Sequence, residues 1–190
     1  MKTFAVYASV SLLNAPAWLG AFREKYDEPW EPHITLKQPC FVDEAQIGAI
    51  KKIVGDLFSK SAESSNGLHL MFDMIVEHTD ADGMTCIMIR TNSPECHALQ
   101  QRIVDALGDY RRYTEPELAT YEKNFLPHIT IGRNLDAAML ACARRDLPDD
   151  VRCEGMMANV TLSIAPDGLS PEATIATQEQ IIFPLVVTKE

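Results

Sequence analysis

The chain has 190 residues, 46% apolar and 23% charged, an ordinary globular balance that excludes disordered, collagen-like and coiled-coil classes and leaves room for one large domain or two small packed lobes. Its net charge of -10 argues against a protein whose main task is gripping a long nucleic acid, because phosphate contacts supply most of that affinity. No apolar run approaches the roughly 20 residues needed to span a bilayer, so a cytoplasmic protein with no membrane partner is expected.

Phe4 to Val10 reads as a buried first strand rather than a signal peptide, since a continuous apolar core is lacking around Met1 to Tyr7. A break at Asn14-Ala15-Pro16 precedes a helix from about Pro16 to Lys25. Asp27 to Pro32 is a Pro-bracketed loop leading into a strand that begins Pro32-His33-Ile34-Thr35. Asp43, with Gln46 three residues on, heads a second helix in the manner of a capping box. Ile47, Ile50, Ile53, Val54, Leu57 and Phe58 recur along one side of that helix. Ser61 to Gly67 is a polar turn, and Leu68 to Glu77 a strand.

Thr79-Asp80-Ala81-Asp82-Gly83 is a hairpin signal, because Asp-Gly readily supplies positive φ. The order of elements then restarts. Met84 to Thr91 is a strand and Pro94 to Leu107 a helix capped by Ser93. A long connection, Gly108 to Leu126, carries Tyr110-Arg111-Arg112-Tyr113 and Tyr121-Glu122-Lys123-Asn124-Phe125. Aromatics interleaved with basic residues can stack a base and hold a phosphate, or the tyrosines can simply pack locally. The next strand opens Pro127-His128-Ile129-Thr130. Asp136 starts a further helix. Val151 to Ala165 and Ala173 to Val187 complete the chain as strands separated by Pro166-Asp167-Gly168 and Ser170-Pro171.

The recurrence of Pro-His-Ile-Thr is the mark of an internal repeat. Strand, helix, His-x-Thr strand, helix, strand occurs in each half, so the expected fold is α+β. It is expected to be bilobal and pseudo-two-fold, with two antiparallel-rich sheets, outer helices and a central cleft. Residues 1–190 form one such domain, with repeat halves of about 1–80 and 81–190.

In a strand, side chains alternate faces, so His33 and Thr35 point one way while Ile34 and Leu36 point the other. The same holds for His128 and Thr130 against Ile129 and Ile131. Two imidazoles converging on one volume can supply a base for an attacking oxygen and an acid for a leaving oxygen, since the unperturbed ring titrates near pH 6.5. Two threonine hydroxyls can donate to phosphate oxygens. Neither a metal nor another cofactor is required. By alternation Lys37 joins the face of His33 and adds positive charge at the cleft. Arg133 alternates onto the face opposite His128, and contacts phosphate only if the strand ends or twists there.

Cys40, Cys86, Cys96, Cys142 and Cys153 form no C-x-x-C pair and are expected to be reduced thiols rather than a zinc site. His69, His78 and His97 fall on no ligand spacing and are given no chemical role.

The duplicated His-x-Thr phrase, each copy followed by an apolar residue, resembles the 2H phosphoesterase superfamily. Its members include 2′-5′ RNA ligase-like proteins and cyclic nucleotide phosphodiesterases. The resemblance covers essentially the whole chain. It implies two motifs facing each other across a cleft, metal-independent chemistry, and substrates with 2′,3′-cyclic phosphates or 2′-5′ linkages. It makes His33 and His128 the acid-base pair and gives Thr35 and Thr130 the phosphate, while Lys37 and Arg133 lie outside the shared motif. A small nucleotide or short RNA is the expected partner of a monomer, with no long duplex.

Overall fold

A computed structural model describes residues 1–27, 30–59, 67–166 and 179–185. The elements follow in the order β1 (Lys2–Leu13), α1 (Ala17–Tyr26), β2 (His33–Val42), a 3-10 turn (Glu44–Gln46), α2 (Ile47–Phe58), β3 (Leu68–Thr79) and β4 (Thr85–Thr91). They continue with α3 (Pro94–Ala106), α4 (Leu118–Lys123), β5 (His128–Leu135), α5 (Ala137–Asp146), β6 (Cys153–Pro166) and β7 (Glu179–Pro184). All but the last residue of the turn expected at Ser61 to Gly67, all but the first of the Pro166 to Gly168 turn, Ser170-Pro171 and the ends of the expected last strand lie outside the described residues.

Local chemistry accounts for the boundaries. Ser93 Oγ accepts from the Cys96 amide at 3.1 Å and Asp136 Oδ1 from the Met139 amide at 2.8 Å, so both N-caps satisfy an otherwise orphaned donor. The hairpin between β3 and β4 turns on Gly83, whose φ of 82° suits a residue without Cβ. There Asp80 Oδ1 gathers the amides of Asp82 and Met84. In α2, Ile50, Val54 and Phe58 are buried at four-residue spacing, each contributing about 1.5–3 kcal/mol of transfer free energy.

The strands form one seven-stranded antiparallel sheet in the order β2-β1-β6-β3-β4-β5, with β7 also paired to β6. This replaces the two separate sheets expected from the sequence. The reason is the length of two strands: β1 and β6, of 12 and 14 residues, pair from Lys2↔Pro166 to Leu13↔Glu154. The other edge of β6 is then long enough to serve β3 through residues 153–157 and β7 through 159–164. A register shift between Ser9 and Val10 skips Ala158, and such an extra residue bends and twists the ladder. Gly155 permits close packing at that point: a Cβ there would stand 2.6 Å from Val10 Cγ1 and 3.0 Å from Phe72 Cε2.

Helices cross between the two ends of the sheet. Helix α1, which leads into β2, packs on β5, and α3 and α4, which precede β5, pack on β2. β2 and β5 are the terminal strands of the ladder path, yet they approach to Cα separations within 8 Å. The folded-over sheet therefore brings its two His-x-Thr strands together.

Candidate active site

Each motif is anchored by apolar residues on its reverse face. Ile34, Leu36, Ile129 and Ile131 are all fully buried in the core, while His33, Thr35, His128 and Thr130 are partly open. The alternation expected from sequence therefore holds through the motifs themselves.

The backbone around the two histidines is built alike. Val10 N–H donates to Pro32 O at 2.8 Å and Thr91 N–H to Pro127 O at 2.9 Å. His33 Nδ1 lies 3.0 Å from Glu31 O and His128 Nδ1 lies 2.6 Å from Leu126 O. A carbonyl oxygen only accepts, so each Nδ1 carries its proton and donates it to the backbone two residues earlier. Each imidazole is thereby held in one tautomer, with Nε2 as the nitrogen able to take or give a proton. The same two-residue offset recurs at both histidines.

His128 sits below the ordinary imidazole range. Burial is the largest cause, offset by its hydrogen bond to Leu126, with His33, Arg133 and His78 adding positive charge that disfavours the cation. A charge on His33 disfavours the His128 cation, in keeping with the approach of β2 to β5. On the other side, His33 meets the Tyr7 ring edge-on, with centroids 5.5 Å apart. The Tyr7 phenol is pushed upward by burial and then by Glu31, which keeps it a hydrogen-bond donor at neutral pH.

Beyond the motifs the two outer residues expected in the site exchange places, for one shared reason. Tyr7 pairs Thr35 but Val6 pairs Lys37, and Met88 pairs Thr130 but Ile87 pairs Gly132. One residue is skipped after each motif, Leu36 in one and Ile131 in the other, and a bulge of this kind reverses the faces that follow.

Lys37 consequently turns into the core, at 1% exposure, and the cleft contact expected of it is corrected. Its ammonium lies 2.9 Å from both oxygens of Glu122 and 4.6 Å from the centre of the Tyr113 ring. The equivalent shift in β5 carries Arg133 onto the face of His128, against the alternation expected from sequence. Its Nε donates to Asp27 Oδ1 at 3.1 Å, and Asp27 Oδ2 accepts from Arg23 Nε at 3.0 Å. The arginine thus ties β5 to the loop that delivers His33.

The long connection before β5 divides into two uses. Tyr110 packs edge-on against Phe4, and Tyr113 donates to Glu122 Oε1 at 2.7 Å, so both serve packing. Tyr121 instead stands exposed, its hydroxyl 2.8 Å from His78 Nε2. Tyr7 and Arg90 were not singled out from the sequence, and His78 was given no chemical role there. Cross-strand register makes the first two visible: Tyr7 is the partner of Thr35 and Arg90 the partner of His128. Among the described residues no group of three or more His, Cys, Asp or Glu is placed to hold a metal ion, and no helix is long and apolar enough to cross a membrane.

Two partly buried imidazoles with fixed tautomers, carried with their threonines on strands that approach each other, can move a proton at each end of a reacting group. Comparisons with known proteins bear on the fold and the family. Usb1 of Kluyveromyces marxianus is similar in structure, with a TM-score of 0.52, 10% identity, and coverage of 96% of this chain and 98% of that one. The same protein with uridine monophosphate gives 0.52 and 9%, over 95% and 98% of the two chains. TT0787 of Thermus thermophilus gives a TM-score of 0.56 and 16% identity over 97% and 98%. At such identities these neighbours establish the fold alone. No curated protein sequence matches. The family model described as the 2′-5′ RNA ligase superfamily matches residues 11–163, an interval that contains both His-x-Thr strands, and the chain belongs to that superfamily.

Proposed function

We propose that this protein is a phosphodiesterase that opens 2′,3′-cyclic phosphates on nucleotides or RNA ends, using His33 and His128 as its proton-transfer pair. The observation that carries the reading is the matched anchoring of the two rings: each Nδ1 is spent on a backbone carbonyl two residues back, leaving Nε2 for chemistry in both. Superfamily membership supports it.

His128 is the base, because its surroundings favour the neutral ring. Its Nε2 takes a proton from water as the water oxygen bonds to phosphorus. The bond from phosphorus to one ribose oxygen breaks, and His33 Nε2–H gives that oxygen its proton, yielding a nucleoside 2′- or 3′-monophosphate. Thr35 and Thr130 donate to the non-bridging oxygens as charge builds there. Nothing in this sequence of events calls for a metal. A small nucleotide or short RNA end suits an acidic chain better than a long duplex.

The same site also fits internal attack by a ribose hydroxyl, cleaving a 2′-5′ oligonucleotide or, in reverse, ligating one. The deciding experiment offers 2′,3′-cyclic mononucleotides, 2′-5′ and 3′-5′ dinucleotides and cyclic-ended RNA in ¹⁸O-labelled water. Label in a monophosphate product is expected. Unlabelled cyclic product from the 2′-5′ dinucleotide would favour transesterification, and tight binding without product would make the protein a nucleotide-binding module.

A further inference from the structure

The strand pairs β1–β2 and β4–β5 carry the same register shifts at the same offsets from their histidines, so positions in one pair have counterparts in the other. Ser9 faces His33 where Arg90 faces His128. Past the bulges, Gln38 corresponds to Arg133. At both positions a neutral residue beside the first motif is replaced by an arginine beside the second. The site is therefore electrically polarised, with its cationic end on the β4–β5 side.

Arg133 is already engaged with Asp27. Arg90 differs. It is half-buried on the open face, and its Nε is shielded from solvent with no hydrogen-bond partner. A guanidinium Nε–H shielded from water without an acceptor is costly unless something supplies that acceptor. The chain carries a net charge of -10, and other arginines such as Arg23, Arg144 and Arg152 lie against carboxylates. The register runs Met74↔Arg90↔His128 across β3, β4 and β5, placing Arg90 directly opposite His128 on the neighbouring strand. Adjacent strands lie only about 4.8 Å apart, well within the reach of an arginine side chain.

We infer that Arg90 is a substrate-binding residue that pairs with a phosphate group on the His128 side of the site, a specificity element resting on the phosphodiesterase reading above. The ribose and base then extend toward the neutral side formed by Ser9, Tyr7 and Gln38. The phosphate is either the one being opened or a neighbouring one in a longer substrate, and two substrates separate these sources.

The test compares wild type, Arg90→Met and Arg90→Lys in two assays. In the first, titration with a nucleoside 3′-monophosphate requires no turnover. Arg90→Met is expected to weaken binding roughly 10- to 100-fold, Arg90→Lys less, and the melting temperature of the free Met variant is expected to hold or rise because a solvent-shielded donor has been removed. Equal affinity in wild type and Arg90→Met would overturn the inference. In the second, kcat/KM is measured on a 2′,3′-cyclic mononucleotide with and without a 5′-phosphate. A loss on both assigns Arg90 to the reacting phosphate, a loss on the 5′-phosphorylated substrate alone assigns it to a neighbouring one, and no loss on either contradicts the inference. Should wild type turn over neither substrate while the first assay behaves as expected, the phosphodiesterase reading fails and the anion contact stands.

Discussion

Replacing Lys37 by methionine separates a core ion pair from a substrate contact. Lys37 and Glu122 have side-chain exposures of 0% and 4%. Glu122 also accepts from Tyr113 at 2.7 Å and from the Gln38 amide at 3.1 Å. Methionine keeps the aliphatic volume but leaves a buried carboxylate with two neutral donors and no cation. Breaking a buried pair by removing one partner costs about 3–5 kcal/mol. For a chain of this length, with an unfolding entropy of about 2.1 cal/mol/K per residue, the melting temperature should fall by about 8–12 °C. The double variant Lys37→Met, Glu122→Leu should recover only part of this, because Tyr113 and the Gln38 amide lose their acceptor. Calorimetry supplies the stabilities, and turnover measured well below the transition should show KM within about threefold of wild type. A melting temperature within about 2 °C of wild type combined with a large rise in KM would mean that Lys37 faces substrate, and the bulge after the first motif would be wrongly placed.

Other outcomes test other parts of the account. His128 is held below the ordinary imidazole range, so between its folded value and about 6.5 the unfolded chain binds more protons. Stability is therefore lost as pH falls through that window. Denaturant melts of wild type and His128→Gln at pH 7 and pH 5 should show the smaller loss in the variant, and equal losses would contradict the assignment. Gly155→Ala forces a Cβ within 2.6 Å of Val10 Cγ1 and should cost about 1–3 kcal/mol of overpacking, read as a lower urea midpoint at unchanged slope; an unchanged midpoint would refute the packing argument. Activity on a cyclic mononucleotide should persist after dialysis against a chelator, and loss restored by one divalent cation would refute the metal-free sequence of steps.

The faces taken by the two motifs were legible because strand alternation is a two-residue rule and the motifs are only three residues long. Ile34, Leu36, Ile129 and Ile131 went to the core as expected, and the caps at Ser93 and Asp136 are local hydrogen bonds that sequence alone can suggest. Alternation failed one residue past each motif, since a bulge belongs to the pairing of two strands and alternation reads only one of them. That single effect moved Lys37 inward and Arg133 outward. Tyr7 and Arg90 were illegible for a related reason: their membership in the site depends on cross-strand register, which spans more than 25 residues in both cases. The union of the expected sheets into one followed from β1, whose 12 residues exceed the Phe4 to Val10 run used to mark it and pair with β6 along their whole length.

The most direct test of the central claim is the rate of 2′,3′-cyclic mononucleotide hydrolysis by His33→Ala, His128→Ala and the double variant, each confirmed folded by its thermal transition. If the two rings act together on one phosphate, either single replacement lowers kcat by roughly 100-fold or more, and the double variant falls little further because a proton-transfer pair fails as a unit. Retention of wild-type activity in the double variant would contradict the account.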